Sequence, residues 1–427
     1  MSPEANVCEK SLGPVTSITG VSPVDCDGYH GLLCDPALSG QVWFLTMSRM
    51  PPTSQLFPGT AEGPSSTSAE TPASSDDNAL AHGVRRRPLQ VTWEITRPNG
   101  WKGAAARTAK GGARDLQQFS TAEAFHLIDE VAEMHIPLLA LTGGDPLARP
   151  DLFPVIEFAS KRSVRTSLTL FPTPAMEPGI ISELKECGLM RAGFWLHGST
   201  ASLHDSYASS SGAHRRTLEL IGACHEAQLP VQVNTLVSRR NFHNIDSMIE
   251  LLTRLDVMLW NVFFQVPASG EDAGQILTAR EHEEIFAKLY QASEYVHFQI
   301  KTTEGQHYQR YLLQQRVRES RGRLTEAEVI TCALKSVNDG KGSVFINHRG
   351  EAYPSRYLPL AAGDVTRQPL SEVYRDSPLF VSLRDPSRLN GKCGRCPARS
   401  VCGGSRARAY AMTGDLFASD PCCAFEP

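Results

Sequence analysis

Three cysteines near the C-terminus, Cys393, Cys396 and Cys402, are separated by two and five residues, and nineteen residues further on stand Cys422 and Cys423. Four thiolates complement either a [4Fe–4S] cluster or a tetrahedral zinc ion. A CxxC pair lets two sulfurs on one tight turn reach the same metal. Spacing alone does not choose between iron and zinc. The expected metal ligands are Cys393, Cys396, Cys402 and one of the last pair, for which Cys422 is taken. Cys187 and Cys224 fall on helical segments and read as small core residues. Cys8, Cys26, Cys34 and Cys332 form no CxxC pair.

The rest of the composition narrows the chemistry. The chain has 427 residues, 41% of them hydrophobic and 21% charged, with a net charge of −4. Such values fit a globular protein with a large core. They carry no global basic bias toward nucleic acid and no single-sign field toward a membrane surface. No apolar run is long enough to span a bilayer, and the N-terminus lacks the pattern of a signal peptide. The expectation is a cytoplasmic protein with no nucleic-acid or membrane partner. Its eleven cysteines are then reduced, and serve as metal ligands or core residues before disulfides.

Elements must position these residues. Residues 1–85 are rich in Ser, Thr, Pro and Gly and read as a disordered, low-complexity extension. Residues 89–96 then alternate as a strand, with Val91, Trp93 and Ile95 on one face. Ser120 and Glu123 make a capping box ahead of a helix bearing Phe125, Ile128, Val131 and Ala132. A second buried strand, 137–142, completes a βαβ unit, hence parallel strands and a right-handed crossover. Further strands are read at 165–170, 191–196, 230–237 and 258–266, with helices at 152–160, 180–187, 213–227 and 245–255. The fold class is therefore α/β, a partial (β/α)6 TIM-like barrel over 86–277. A helical connector over 278–331 and a small Cys-rich domain over 332–427 follow it. In barrels of this kind the site lies at the C-terminal ends of the strands.

At one such end the chain reads TGGDPLARPDL, and the C-terminal region reads SVFINHRGEAYPSRYLPLAAGDV and GKCGRCPARSVCGGSRARAYAMTGD. Together these resemble the radical S-adenosylmethionine (radical SAM) family with a SPASM iron–sulfur domain, over residues 89–427. The resemblance implies that Gly143, Gly144 and Asp145 hold the amino group of S-adenosylmethionine. It implies a further cofactor contact from Asn234 and an adenine contact from residues 263–266. In FWLHGST, His197 stands where relatives usually carry Asp. The resemblance implies one auxiliary [4Fe–4S] cluster rather than two, because Ser355 and Arg406 stand where a full SPASM domain has cysteines. S-adenosylmethionine is the second implied cofactor. The implied substrate is a peptide or a small molecule such as a tetrapyrrole, and the implied activity is that of a maturase or oxidoreductase.

One stretch departs from that family. Its catalytic cluster sits on a CxxxCxxC loop between the first strand and the first helix. Here residues 97–118 read RPNGWKGAAARTAKGGARDLQQ, with no cysteine and no histidine, and with five Lys or Arg against one Asp. A cationic loop does not replace three soft thiolates. The preserved flanks and length fit a pseudoenzyme that assists a partner maturase, and equally a pair of compensating frameshifts. A reading from another class is a zinc-stabilised binding module.

Overall fold

The computed structural model describes residues 87–97, 118–173, 176–267, 274–319 and 337–427. The 1–85 extension, Cys8, Cys26, Cys34, Cys332 and the interior of the 97–118 loop lie outside the described residues. One sheet of ten strands organises everything else, in the order β10-β9-β8-β1-β2-β3-β4-β5-β6-β7. Strands β1 (Gln90–Glu94), β2 (Leu138–Thr142), β3 (Thr166–Leu170), β4 (Arg191–Trp195), β5 (Val231–Val237) and β6 (Leu259–Phe264) are the six expected from the sequence. All run parallel, each paired to the next.

The barrel does not stop at six. A seventh strand, β7 (Gln299–Thr303), pairs in parallel with β6, inside the stretch expected to be a helical connector. Every residue of β7 is only half-buried, so its sequence shows no apolar alternation to mark it. The Cys-rich region does not stand apart from the barrel either. Its first strand, β8 (Ser343–Ile346), pairs in parallel with β1, with Gln90 opposite Ser343. Strands β9 (Glu351–Tyr353) and β10 (Gly363–Asp364) then extend the sheet antiparallel.

Helices cover one face of the sheet. They are α1 (Thr121–Glu133), α2 (Leu152–Lys161), α3 (Ile180–Glu186), α4 (Ala201–Ala208), α5 (Ala213–Glu226), α6 (Ile245–Arg254), α7 (Ala279–Ser293) and α8 (His307–Glu319). The α1 capping box is formed: Glu123 N–H donates to Ser120 Oγ at 3.3 Å, and Ser120 N–H donates to the Glu123 carboxylate at 2.8 Å. Thr278 and Glu281 build the same device on α7. Val91, Trp93 and Ile95 are buried in the main apolar core together with Leu127, Ile128 and Val131 of α1. The C-terminal region adds α9 (Leu370–Asp376), α10 (Pro378–Arg384), α11 (Gly391–Arg395) and α12 (Arg406–Thr413). Among the described residues, no helix is long and apolar enough to cross a membrane.

The other strand face carries polar residues: Gln90, Thr92 and Glu94 of β1, Asn234 of β5, Asn261 of β6, and Lys301 and Thr303 of β7. Lys301 Nζ donates to Gln90 Oε1 at 3.1 Å although β7 and β1 are not paired, so the sheet curves around an inner lumen. Burial, with Arg191 adding to it, pulls the Lys301 ammonium down to about 8. Its folded value is below the unfolded one, so the charged form weakens the fold. That cost is fully present below pH 8 and is relieved as pH rises toward 10. Lys301→Met should therefore stabilise the protein at pH 7 by about 1–2 kcal/mol, discounted because water reaches this half-buried side chain. The gain should shrink toward zero at pH 10. A thermal-unfolding series across that range checks it, and a midpoint unchanged at pH 7 would overturn it.

Candidate functional site

The C-terminal ends of β1 and β2 meet at the Gly-Gly-Asp turn. A Cβ on Gly143 would fall 2.2 Å from Thr96 Oγ1 and 3.1 Å from Thr96 N, so the close approach of the segment just past β1 favours glycine there. Thr96 Oγ1 is itself buried without a hydrogen-bond partner. Asp145 accepts from Leu147 N–H at 3.1 Å and caps the short turn Pro146–Ala148. Arg149 locks this turn to β1: its guanidinium lies 5.3 Å from the Trp93 ring centre, donates to Ile95 O and pairs with Asp151 at 2.8 Å. Gly143, Gly144 and Asp145 thus stand together at the strand ends, beside an orphaned hydroxyl that a polar ligand could satisfy.

Asn234 is buried in the lumen, and its Oδ1 accepts from Gln232 at 2.6 Å. Phe263 packs 4.9 Å from Trp195 and 6.4 Å from Tyr357. His197 is a hydrogen-bonded barrel residue: Leu236 N–H donates to its Nδ1 at 3.2 Å, and its ring stacks on Trp195 and Tyr207. Burial, reinforced by His204 and Arg240, pulls it down to about 3, so it stays neutral.

One lumen cluster lies outside the residues that the sequence singles out. Glu94, completely buried at the end of β1, faces His348 Nδ1 at 3.3 Å and Arg356 at 3.5 Å. Both partners come from the C-terminal region, His348 in the turn after β8.

The C-terminal thiols gather around one small cavity, lined by Cys393, Cys396, Cys402 and Cys423 with Arg310, Lys392, Arg399 and Phe425. Cys393 lies in α11 and Cys396 ends it. Gly403 and Gly404, at φ of +66° and +69°, fold the chain back over Cys402. Backbone N–H groups reach two of the sulfurs: Gly404 donates to Cys402 at 3.3 Å and Asp420 to Cys393 at 3.4 Å. Burial raises the thiols of Cys396, Cys402 and Cys423.

Cys422, expected as the fourth ligand, does not line this cavity. Its thiol donates instead to Leu277 O at 3.4 Å, and burial pushes it up to about 11. Adjacent residues here face opposite ways, and Cys423 is the one turned inward. Of the other described cysteines, Cys224 lies in the core and Cys187 is half-buried at the end of α3.

The residues suit an iron–sulfur cluster. Four thiols surround one space, amide N–H groups point at sulfur, and cations offset thiolate charge. Among the described residues, no group of three or more His, Cys, Asp or Glu closes around a single ion. The positions where the resemblance places more cysteines are otherwise engaged. Ser355 Oγ donates to Glu304 at 2.7 Å, and the Arg406 guanidinium donates to the carbonyls of Leu416 and Ala418. A catalytic cluster is not matched in the same way, because residues 97–118 supply no thiolate.

Comparison with known proteins agrees with this geometry. Residues 104–252 match the model of the radical SAM superfamily. A protein of Methanosarcina barkeri named AdoMet-dependent heme synthase is 34% identical over 340 residues, 80% of this chain and 97% of that protein. One of the same name from Nitratidesulfovibrio vulgaris is 32% identical, over 79% and 92% of the two chains. The crystal structure of Streptococcus suis SuiB bound to S-adenosylmethionine shares the fold, with a TM-score of 0.64 at 12% identity over 82% of this chain and 80% of that one. Parallel barrel, strand-end Gly-Gly-Asp turn and full-length relatives together show that this chain belongs to the radical SAM superfamily, whose members use a [4Fe–4S] cluster and S-adenosylmethionine.

Proposed function

We propose that this protein is a tetrapyrrole-class member of the superfamily. Its lumen receives the substrate, and its C-terminal cavity holds one auxiliary [4Fe–4S] cluster on Cys393, Cys396, Cys402 and Cys423. The observation that carries the cluster is the convergence of four thiols, two from the CxxC turn and two from other turns, on one space. The substrate class follows from relatives that align over nearly their whole length and are named heme synthases. Relatives named PqqA peptide cyclase are 24–26% identical, which favours a tetrapyrrole over a peptide. Gly143, Gly144, Asp145 and Asn234 are the residues to hold S-adenosylmethionine at the strand ends. We place the protein in the cytoplasm, where its thiols stay reduced.

When bound, the auxiliary cluster would supply one-electron chemistry. The chain's own contribution is to hold it among Arg310, Lys392 and Arg399 and to direct two amide N–H groups at its ligands. With no thiolate in residues 97–118, this chain by itself binds rather than cleaves S-adenosylmethionine, and serves as an assisting partner to a cluster-complete maturase.

Anaerobic reconstitution tests the reading. The chain should take up about four irons, with a brown colour and absorbance near roughly 400 nm. Cys423→Ala should lower the iron content and Cys422→Ala should leave it unchanged. A colourless zinc protein, about eight irons, or reductive formation of 5′-deoxyadenosine would overturn it.

A further inference from the structure

The Glu94–His348 contact has a direction. A carboxylate paired with a guanidinium can only accept, so His348 Nδ1 carries the proton in the 3.3 Å contact. In the neutral imidazole the lone pair then sits on Nε2. That atom is buried and has no hydrogen-bond partner. An imidazole tied through Nδ1–H to a carboxylate, with Nε2 unused, is the arrangement in which a histidine binds a metal. Burying a bare acceptor without one is costly.

Its location agrees. His348 follows β8, which runs parallel to β1, so it lies at the end of the barrel that holds Gly143 and Asp145. Asn347 fixes the turn by accepting from Arg349 N–H at 2.9 Å and Glu351 N–H at 3.0 Å, and Gly350 turns the chain at φ +95°. Arg356 is held over the Phe345 ring at 5.5 Å. Imidazole and guanidinium, from the turns after β8 and β9, are thus fixed beside a carboxylate about 250 residues earlier in the chain.

We propose that His348 Nε2 is the axial ligand to the iron of an iron tetrapyrrole bound in the lumen, with Glu94 as the positioning residue that sets its tautomer. This rests on the tetrapyrrole reading above. The full chain is titrated with iron(III) coproporphyrin and with metal-free coproporphyrin, followed by the Soret band and by electron paramagnetic resonance of the iron form. The wild type should bind both, the iron form with an imidazole-ligated spectrum.

His348→Ala should lose that spectrum and bind the iron form about tenfold or more weakly. Its binding of the metal-free form should be unchanged, and added imidazole should restore the spectrum. His348→Gln, which keeps a polar side chain against Glu94, should behave likewise if the alanine variant does not fold. An unchanged Soret band and unchanged resonance in both variants would overturn the ligand assignment and leave the tetrapyrrole reading standing. Failure of the wild type to bind either form would remove the tetrapyrrole reading itself.

Discussion

Arg408→Ala should destabilise the protein by about 3–5 kcal/mol, the usual cost of removing one partner of a buried ion pair. Arg408 on α12 and Asp420 beside the cysteine turn are both fully buried and pair at 3.0 Å. The second guanidinium nitrogen donates to Glu304 O at the end of β7. Asp420 also accepts from Ser405 N–H at 2.9 Å and from Cys422 N–H at 3.0 Å. Deleting the arginine leaves a buried carboxylate with amide donors and His307 at 3.8 Å. Burial alone would raise the Asp420 carboxyl; the Arg408 guanidinium overrides it and holds the group well below the usual carboxylate range.

The pH dependence follows from that direction. A depressed folded-state value gives stability that is present above the unfolded carboxylate range and lost only as pH falls through the folded value. The gap between wild type and variant should therefore be smallest in strong acid and widen as pH rises, through the unfolded carboxylate range and on until the buried, unpaired carboxyl of the variant ionises. Urea unfolding at several pH values measures it. A loss under about 1 kcal/mol at neutral pH would mean that water or rearrangement solvates Asp420.

Replacing Cys393 and Cys396 together by alanine should take the reconstituted protein from about four irons per chain to about none. The two residues supply half the ligand set from one tight turn, and the remaining thiols, Cys402 and Cys423, come from other turns of the same cavity. Two ligands do not hold a cubane against chelators. Because the sequence offers no other cluster motif, nothing should remain. Four irons retained in the double variant would show a second cluster elsewhere and sink the reading of residues 97–118 as ligand-free. Translating the gene's other two frames across codons 98–113 gives an independent check, since a hidden CxxxCxxC there would identify a reading-frame error.

Much of the architecture was legible because it is periodic. Val91, Trp93 and Ile95 alternate, Ser120 and Glu123 sit three apart, and strands with apolar runs stand between amphipathic helices. Strand β7 was hidden because Ile300 is the one apolar residue in QIKTT and no position is fully buried. Glu94 was silent for a different reason: its partners lie 254 and 262 residues away, beyond any local pattern. The choice between Cys422 and Cys423 was equally closed to spacing, since neighbours differ only in which way the turn directs each thiol. At Gly143 the group a side chain would meet first is Thr96, just past the end of β1, a close approach that no local pattern announces.

The pairing of β8 with β1 also sets an order of events in the cell. One edge of β1 is covered by β2 soon after synthesis, but the other must wait for Ser343 and Val344, about 250 residues further along the chain. At roughly 5–20 residues per second, that is some 13–50 s on the ribosome. Throughout it the first strand of the barrel presents an open row of N–H and C=O groups, the kind of template on which chains join edge to edge. The nascent chain therefore depends on its last quarter to become safe from self-association. A chaperone that shields an unpaired strand would meet this protein at β1.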